Sequence, residues 1–158
     1  MRFLMLLSLS LWLGAIFFFA LLAPTVFAVL PTRELAGQLI NPLLYKLHLV
    51  GAVCGLLFLG ASLTDALRSR GVFKLFSASH LALLGMLILT AISQYAVAPR
   101  MAALRRDMGT IDVIPQDDPR RIHFNELHHW STRLEGGVFV LGLGLLAMTG
   151  RRLSNLRS

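Results

Sequence analysis

Residues 4–30 read LMLLSLSLWLGAIFFFALLAPTVFAVL, with no charged side chain between Arg2 and Arg33. A bilayer's hydrocarbon core is about 30 Å thick, so a helix rising about 1.5 Å per residue crosses it in roughly 20 apolar residues. This run exceeds that length. It also exceeds the apolar centre of a secretory signal peptide, about 7–15 residues, although Arg2 resembles a short basic start and Val26-Phe27-Ala28 a cleavage site. The run is expected to be retained as a membrane helix. Three further stretches have the same character, Leu43–Ala66, Lys74–Ala98 and Trp130–Thr149. The expected fold class is all-α: a single integral membrane bundle of four transmembrane helices at about 4–30, 43–66, 74–98 and 130–149, with an extramembrane loop at about 100–118.

Composition agrees. Of 158 residues, 56% are hydrophobic and 15% charged, and the mean hydropathy is +0.69; a soluble domain carries about a quarter of its residues as charges. The formal net charge of +7 would suit nucleic acid, but the basic residues sit at the ends of apolar runs and form no stripe with interleaved aromatics. They read as membrane-flanking charges, with the lipid bilayer as partner and no nucleic acid. Cys54 is the single cysteine, which excludes a disulfide framework and a thiolate metal cluster.

Local signals divide the chain. Asn41-Pro42 and Asp118-Pro119 each read as an N-cap followed by proline at the first helical position. Pro99 lacks an amide hydrogen and should kink or end the third span, with a short exposed helix running from Arg100 to Met108 before Gly109. Four spans put both termini on one side. Basic residues divide almost evenly between the two sides, but Glu34, Asp107, Asp112, Asp117, Asp118, Glu126 and Glu135 fall on the loop side and only Asp65 on the terminal side. The expectation is a multi-pass protein of the bacterial inner membrane with cytoplasmic termini.

An uncompensated polar side chain is costly in lipid, so each one inside a span calls for a partner, water or a role. His48, Gln94, Glu135 and Thr25 all lie about 7–9 Å inside the same membrane face when helix rise is counted from the nearest span end. Tyr45, Tyr95, Ser131 and His128 border that layer, and the i, i+3, i+7 spacing of His128, Ser131 and Glu135 puts them on one helix face. The ligand-binding candidates are therefore His48, Gln94, Tyr95, His128 and Glu135. Such a set can bind a metal ion, relay a proton or hold the head of a quinone or lipid, or it can simply fix helix register through hydrogen bonds. The spacing selects no cofactor and no metal. His128 and His129 are adjacent and point about 100° apart on a helix, so they do not form a helical metal pair. His123 and His129 read as interfacial side chains, Arg133 as an anchor able to bridge Glu126, and His80 as a hydrogen-bonding partner for Asp65 or the nearby serines.

Gly51 and Gly55 form G-x-x-x-G, and Gly137 and Gly144 belong to a small-residue surface on the fourth helix. Small residues let membrane helices approach closely, either inside the bundle or against a partner protein or a second copy. The chain has no phosphate-binding glycine loop, no H-E-x-x-H, no G-x-S-x-G and no C-x-x-C, so no catalytic residues are assigned. The leading expectation is a non-enzymatic accessory or scaffold component of the membrane. The alternative is a protein that binds or transports a metal ion, quinone or other small ligand at the polar layer.

Leu11-Trp12-Leu13-Gly14 and Ala23-Pro24-Thr25-Val26-Phe27 in the first helix, Cys54-Gly55 in the second, Gln94-Tyr95 and Pro99-Arg100-Met101 closing the third, and Phe124, Leu127-His128, Ser131 and Leu134 opening the fourth together resemble the transmembrane-protein-205-like family. The resemblance runs across all four spans. It implies a small four-helix integral membrane protein and assigns it no chemistry. A broader set of small membrane proteins with a Trp-x-Gly first helix includes some linked to copper or haem. The Met- or His-rich motif that such chemistry needs has no counterpart in this sequence.

Overall fold

The computed structural model describes residues 1–68 and 78–154. Its elements are α1 (Arg2–Val29), α2 (Arg33–Arg68), α3 (Ala78–Ile92), a π-helical turn (Ser93–Val97), α4 (Ala98–Met108), a 3-10 turn (Ile111–Val113) and α5 (Pro119–Ser154). No strand occurs among the described residues. Four helical stretches are long and apolar enough to cross a membrane: Phe3–Val29, Arg33–Asp65, Ala78–Met108 and Pro119–Arg151. The protein is an all-α, multi-pass membrane protein. Residues 74–77, the expected start of the third span, lie outside the described residues.

The second helix begins earlier than Asn41-Pro42 suggested. Thr32 is its cap: the hydroxyl accepts the Leu35 N–H at 3.2 Å, while Pro42 lies inside the helix. A proline there costs the Gln38 carbonyl one intrahelical bond, a loss that long membrane helices tolerate. Asn41 therefore faces the interior space described below and does not act as a cap.

Pro99 neither ends the third span nor leaves an abrupt break. One turn before it, the Ala98 N–H donates to the Ser93 carbonyl, five residues back. This π turn widens the helix where Pro99 has no N–H to give, and α4 continues to Met108. Gly109 stops α4 at φ 65°, a left-handed conformation that glycine adopts without a Cβ penalty. At the start of α5, Asp118 Oδ1 accepts the Arg120 N–H at 2.8 Å.

α1 packs on α2 and α5, and α3 packs mainly on α5, with a sparser contact between α2 and α3. The centre is apolar, built from Leu9, Trp12, Leu83, Met86, Val138 and Leu145, all 2% exposed or less. The Trp12 indole lies directly on α2, where a Cβ added at Gly51 would fall 2.5 Å from Nε1 and one added at Gly55 would fall 3.4 Å from Cζ3. Gly137 receives Leu89, whose Cδ1 would lie 3.1 Å from an added Cβ. Of the two uses open to them, Gly51, Gly55 and Gly137 thus receive side chains of the bundle itself. Only Gly144 of the four has open space before it. Outside, Phe3, Phe18, Leu56, Leu81 and Val140 are each at least 60% exposed, an apolar coat suited to lipid and costly in water.

Candidate functional site

Three helices bring one polar side chain each to the same point. His48 of α2 is buried, 4% exposed. Its Nδ1–H donates to Gln94 Oε1 in the π turn at 2.7 Å. Its Nε2 lies 2.6 Å from Glu135 Oε1 on α5. Because Nδ1 spends its hydrogen on a carbonyl oxygen, the second contact needs one further proton between imidazole and carboxyl. That proton makes either an imidazolium–carboxylate pair or a neutral imidazole accepting from a carboxylic acid. Both forms are neutral in sum, which is how an ionisable pair is accommodated in lipid.

The three side chains form a wall between two spaces. On one side, between the loosely packed α2 and α3, is a groove of about 260 Å³ bordered by His48, Gln94, Tyr45 and Tyr95. On the other is a chamber of about 960 Å³ bordered by Gln94 and Glu135. All four spans contribute to the chamber. It extends along α2 from Arg33 to Leu47 and along α5 from Phe124 to Phe139, about 20 Å at helical rise. Its deep end is aromatic, with Phe17 and Phe139 stacked at a centroid separation of 6.5 Å. Its other end reaches Arg33, Arg105 and Ile111. The connection beyond α4 is tied down there: the Arg33 N–H donates to Asp112 Oδ2 at 3.1 Å, and Arg121 donates to the Ile114 carbonyl.

Of the five candidates, His48, Gln94 and Glu135 converge. His128 and Ser131 share the chamber wall with Glu135, on the face their spacing indicated, but His128 makes no side-chain hydrogen bond to the other candidates. Tyr95 points outward at 80% exposure and only edges the small groove. Thr25 does not join the layer, since its hydroxyl donates to the Leu21 carbonyl of its own helix at 2.8 Å. Arg133 stacks over Trp130 at 5.5 Å instead of bridging Glu126, and Glu126 lies 3.5 Å from His123. His80 meets Ser62 at 2.8 Å.

The family described as a domain of unknown function, DUF4149, matches residues 7–110. The chain belongs to the DUF4149 family. The DUF4149 match contains most of α1 and all of α2, α3, the π turn and α4, and with them His48 and Gln94; Glu135 and His128 lie beyond it. Neither curated proteins nor solved structures give a match.

Two residues of the candidate site carried no signal of their own in the sequence. Gly37 lacks the Cβ that would fall 2.8 Å from Arg105 Nη2, so the guanidinium rests in the space glycine leaves. Arg105 also lies over the Phe124 ring at 5.5 Å, and its buried Nε has no hydrogen-bond partner. In the sequence Arg105 is one of several basic residues following Pro99. Its periodicity with Ala98, Met101 and Ala102, all facing the chamber, is the only hint that it turns inward. A metal fits the layer poorly: among the described residues no group of three or more His, Cys, Asp or Glu side chains is placed to hold one, and both His48 nitrogens are already engaged.

Proposed function

We propose that this DUF4149 protein is a non-enzymatic membrane protein that binds a lipid-soluble small molecule in the chamber, with Gln94 and Glu135, both held by His48, as its hydrogen-bonding wall. The observation carrying this reading is the convergence of three polar side chains from three helices beside a chamber that all four spans line. Ligand sites are typically apolar cavities of about 300–1,000 Å³ with a few convergent polar groups. The chamber has that size and make-up. A purely structural layer would need the hydrogen bonds but not the space. The accessory or scaffold reading draws less support, because Gly51, Gly55 and Gly137 are consumed inside the bundle.

We also propose, as the finer assignment within the family, the transmembrane-protein-205-like group on the motifs quoted above, and a bacterial inner membrane with cytoplasmic termini on the distribution of acidic residues. Release of the protein from its native membrane in polymer nanodiscs, followed by native mass spectrometry, tests the binding reading. The wild type should retain one non-phospholipid or single-chain adduct of defined mass, and Phe139→Trp, which fills the deep end, should lose it. An adduct-free wild type, or one whose adducts survive that filling, would overturn the reading.

A further inference from the structure

The charges around the chamber are not balanced. Arg33 and Arg105 border it as cations, and the one carboxyl on its wall, Glu135, is neutralised in sum by His48. Among the described residues, the charged and titratable groups facing the chamber are then Arg33 and the Tyr45 phenol on α2, Arg105 on α4, and the His128 imidazole and paired Glu135 on α5. Glu34 acts on Arg105 through space, but its carboxylate accepts from Gln38 at 3.4 Å and forms no salt bridge with Arg105 among the described residues.

Arg105 is also held by packing and not by a protein partner among the described residues. Its guanidinium is held over Phe124 and in the hollow at Gly37, and it makes no hydrogen bond or salt bridge among the described residues. Arg105 is partly buried, with its Nε shielded from solvent, and a planar guanidinium so placed favours bidentate binding of a carboxylate or phosphate. About 20 Å below it, by helical rise along α5 from Phe124, the same chamber ends in the stacked rings of Phe17 and Phe139.

We infer that the occupant is a single-chain anionic amphiphile, with a carboxylate or phosphate head at Arg105 and an apolar chain directed past Glu135 to Phe17 and Phe139. This rests on the binding reading above and adds the sign and place of the head group. The proton shared by His48 and Glu135 then serves binding, because it removes the one negative charge that would repel the head as it enters. Arg33, at the exposed rim, adds to the attraction from outside.

Spin-labelled stearic acid, its methyl ester and a spin-labelled lysophosphatidic acid, titrated in turn against the full chain in neutral nanodiscs at neutral pH, test this. The immobilised fraction of the electron paramagnetic resonance spectrum is the readout. The acid or the lysophosphatidic acid should bind at least about tenfold tighter than the ester, the ratio expected for a hydrogen-bonded charge, and their order decides between carboxylate and phosphate. Arg105→Gln should bring acid and phosphate binding down to the level of the ester, while Arg105→Lys restores part of the preference. Gly37→Ala displaces only the flexible end of Arg105 and should lower the preference without lowering the thermal midpoint. Equal binding of acid, phosphate and ester to the wild type, or an equal loss of all three in Arg105→Gln, overturns the head-group assignment and leaves the chamber reading standing. Immobilisation of none of the three overturns both.

Discussion

Glu135 is the residue on which the chemistry of the layer turns. Its carboxyl meets His48 at 2.6 Å, and the partner's other nitrogen is committed to Gln94. Replacing it with glutamine leaves an amide N–H able to donate to a neutral His48, so every group in the layer keeps a partner. Glu135→Leu fills similar volume but leaves Nε2 bare. Unfolding in mixed micelles should therefore find Glu135→Gln close to wild type and Glu135→Leu less stable by about 1–3 kcal/mol, the penalty for an unsatisfied buried polar group. Equal stability of the two would mean that the contact does not support the fold. Much of this layer was legible in the sequence, because counting helical rise from span ends placed His48, Gln94 and Glu135 at one depth. Depth is a property of position along a helix. Azimuth is not, which is why Tyr95 and Thr25 shared the depth but not the site. For His128 and Ser131 the i, i+3 spacing supplied the azimuth relative to Glu135 directly.

At the level of elements, caps were readable only where proline and cap agreed with the surrounding polarity. Asp118-Pro119 follows a polar stretch and does begin α5. Asn41-Pro42 has the same pattern, yet Thr32 had already started the helix, and Pro42 merely gives up one bond inside it. The π turn was not legible at all: it answers Pro99 by widening the turn before it, and no residue in Ser93–Val97 announces that choice. The Asp118 cap offers a pH test. Hydrogen bonds from the Arg120 side chain, at 2.7 Å, and from its backbone hold the Asp118 carboxyl at about 2, below its ordinary 3.8. A depressed carboxyl contributes stability above its unfolded value and loses it as pH falls through the folded one. Amide exchange in the first turn of α5 should stay constant from neutral pH down to about pH 4, once the intrinsic exchange rate is allowed for, and protection should fall between about 4 and 2. In Asp118→Ala the protection should be low at every pH. A wild-type loss already complete near pH 5 would contradict the assignment.

For the whole molecule, the decisive contrast is between glycines that the bundle has used and those it has left open. Sequence could show that Gly51, Gly55, Gly137 and Gly144 permit close approach, but not to what, since the approaching surface is set by the order in which helices pack around Trp12. Trp12 is 2% exposed and belongs to the same buried cluster as Leu9, Leu13 and Phe58. It has nowhere to retreat from a methyl group placed 2.5 Å from its indole nitrogen. Gly51→Ala should therefore destabilise the bundle by about 1–3 kcal/mol, the usual cost of overpacking, read as a lower midpoint in micelle unfolding. Gly144→Ala meets open space and should leave that midpoint unchanged. Crosslinking then separates the bundle from any assembly built on it. If a second copy or another protein packs through Gly144, Gly144→Ala lowers the crosslinked fraction without touching stability. If crosslinking instead fails only in Gly51→Ala and in step with its loss of fold, the outer face of α5 belongs to lipid, and the close helix contacts of this protein are all internal.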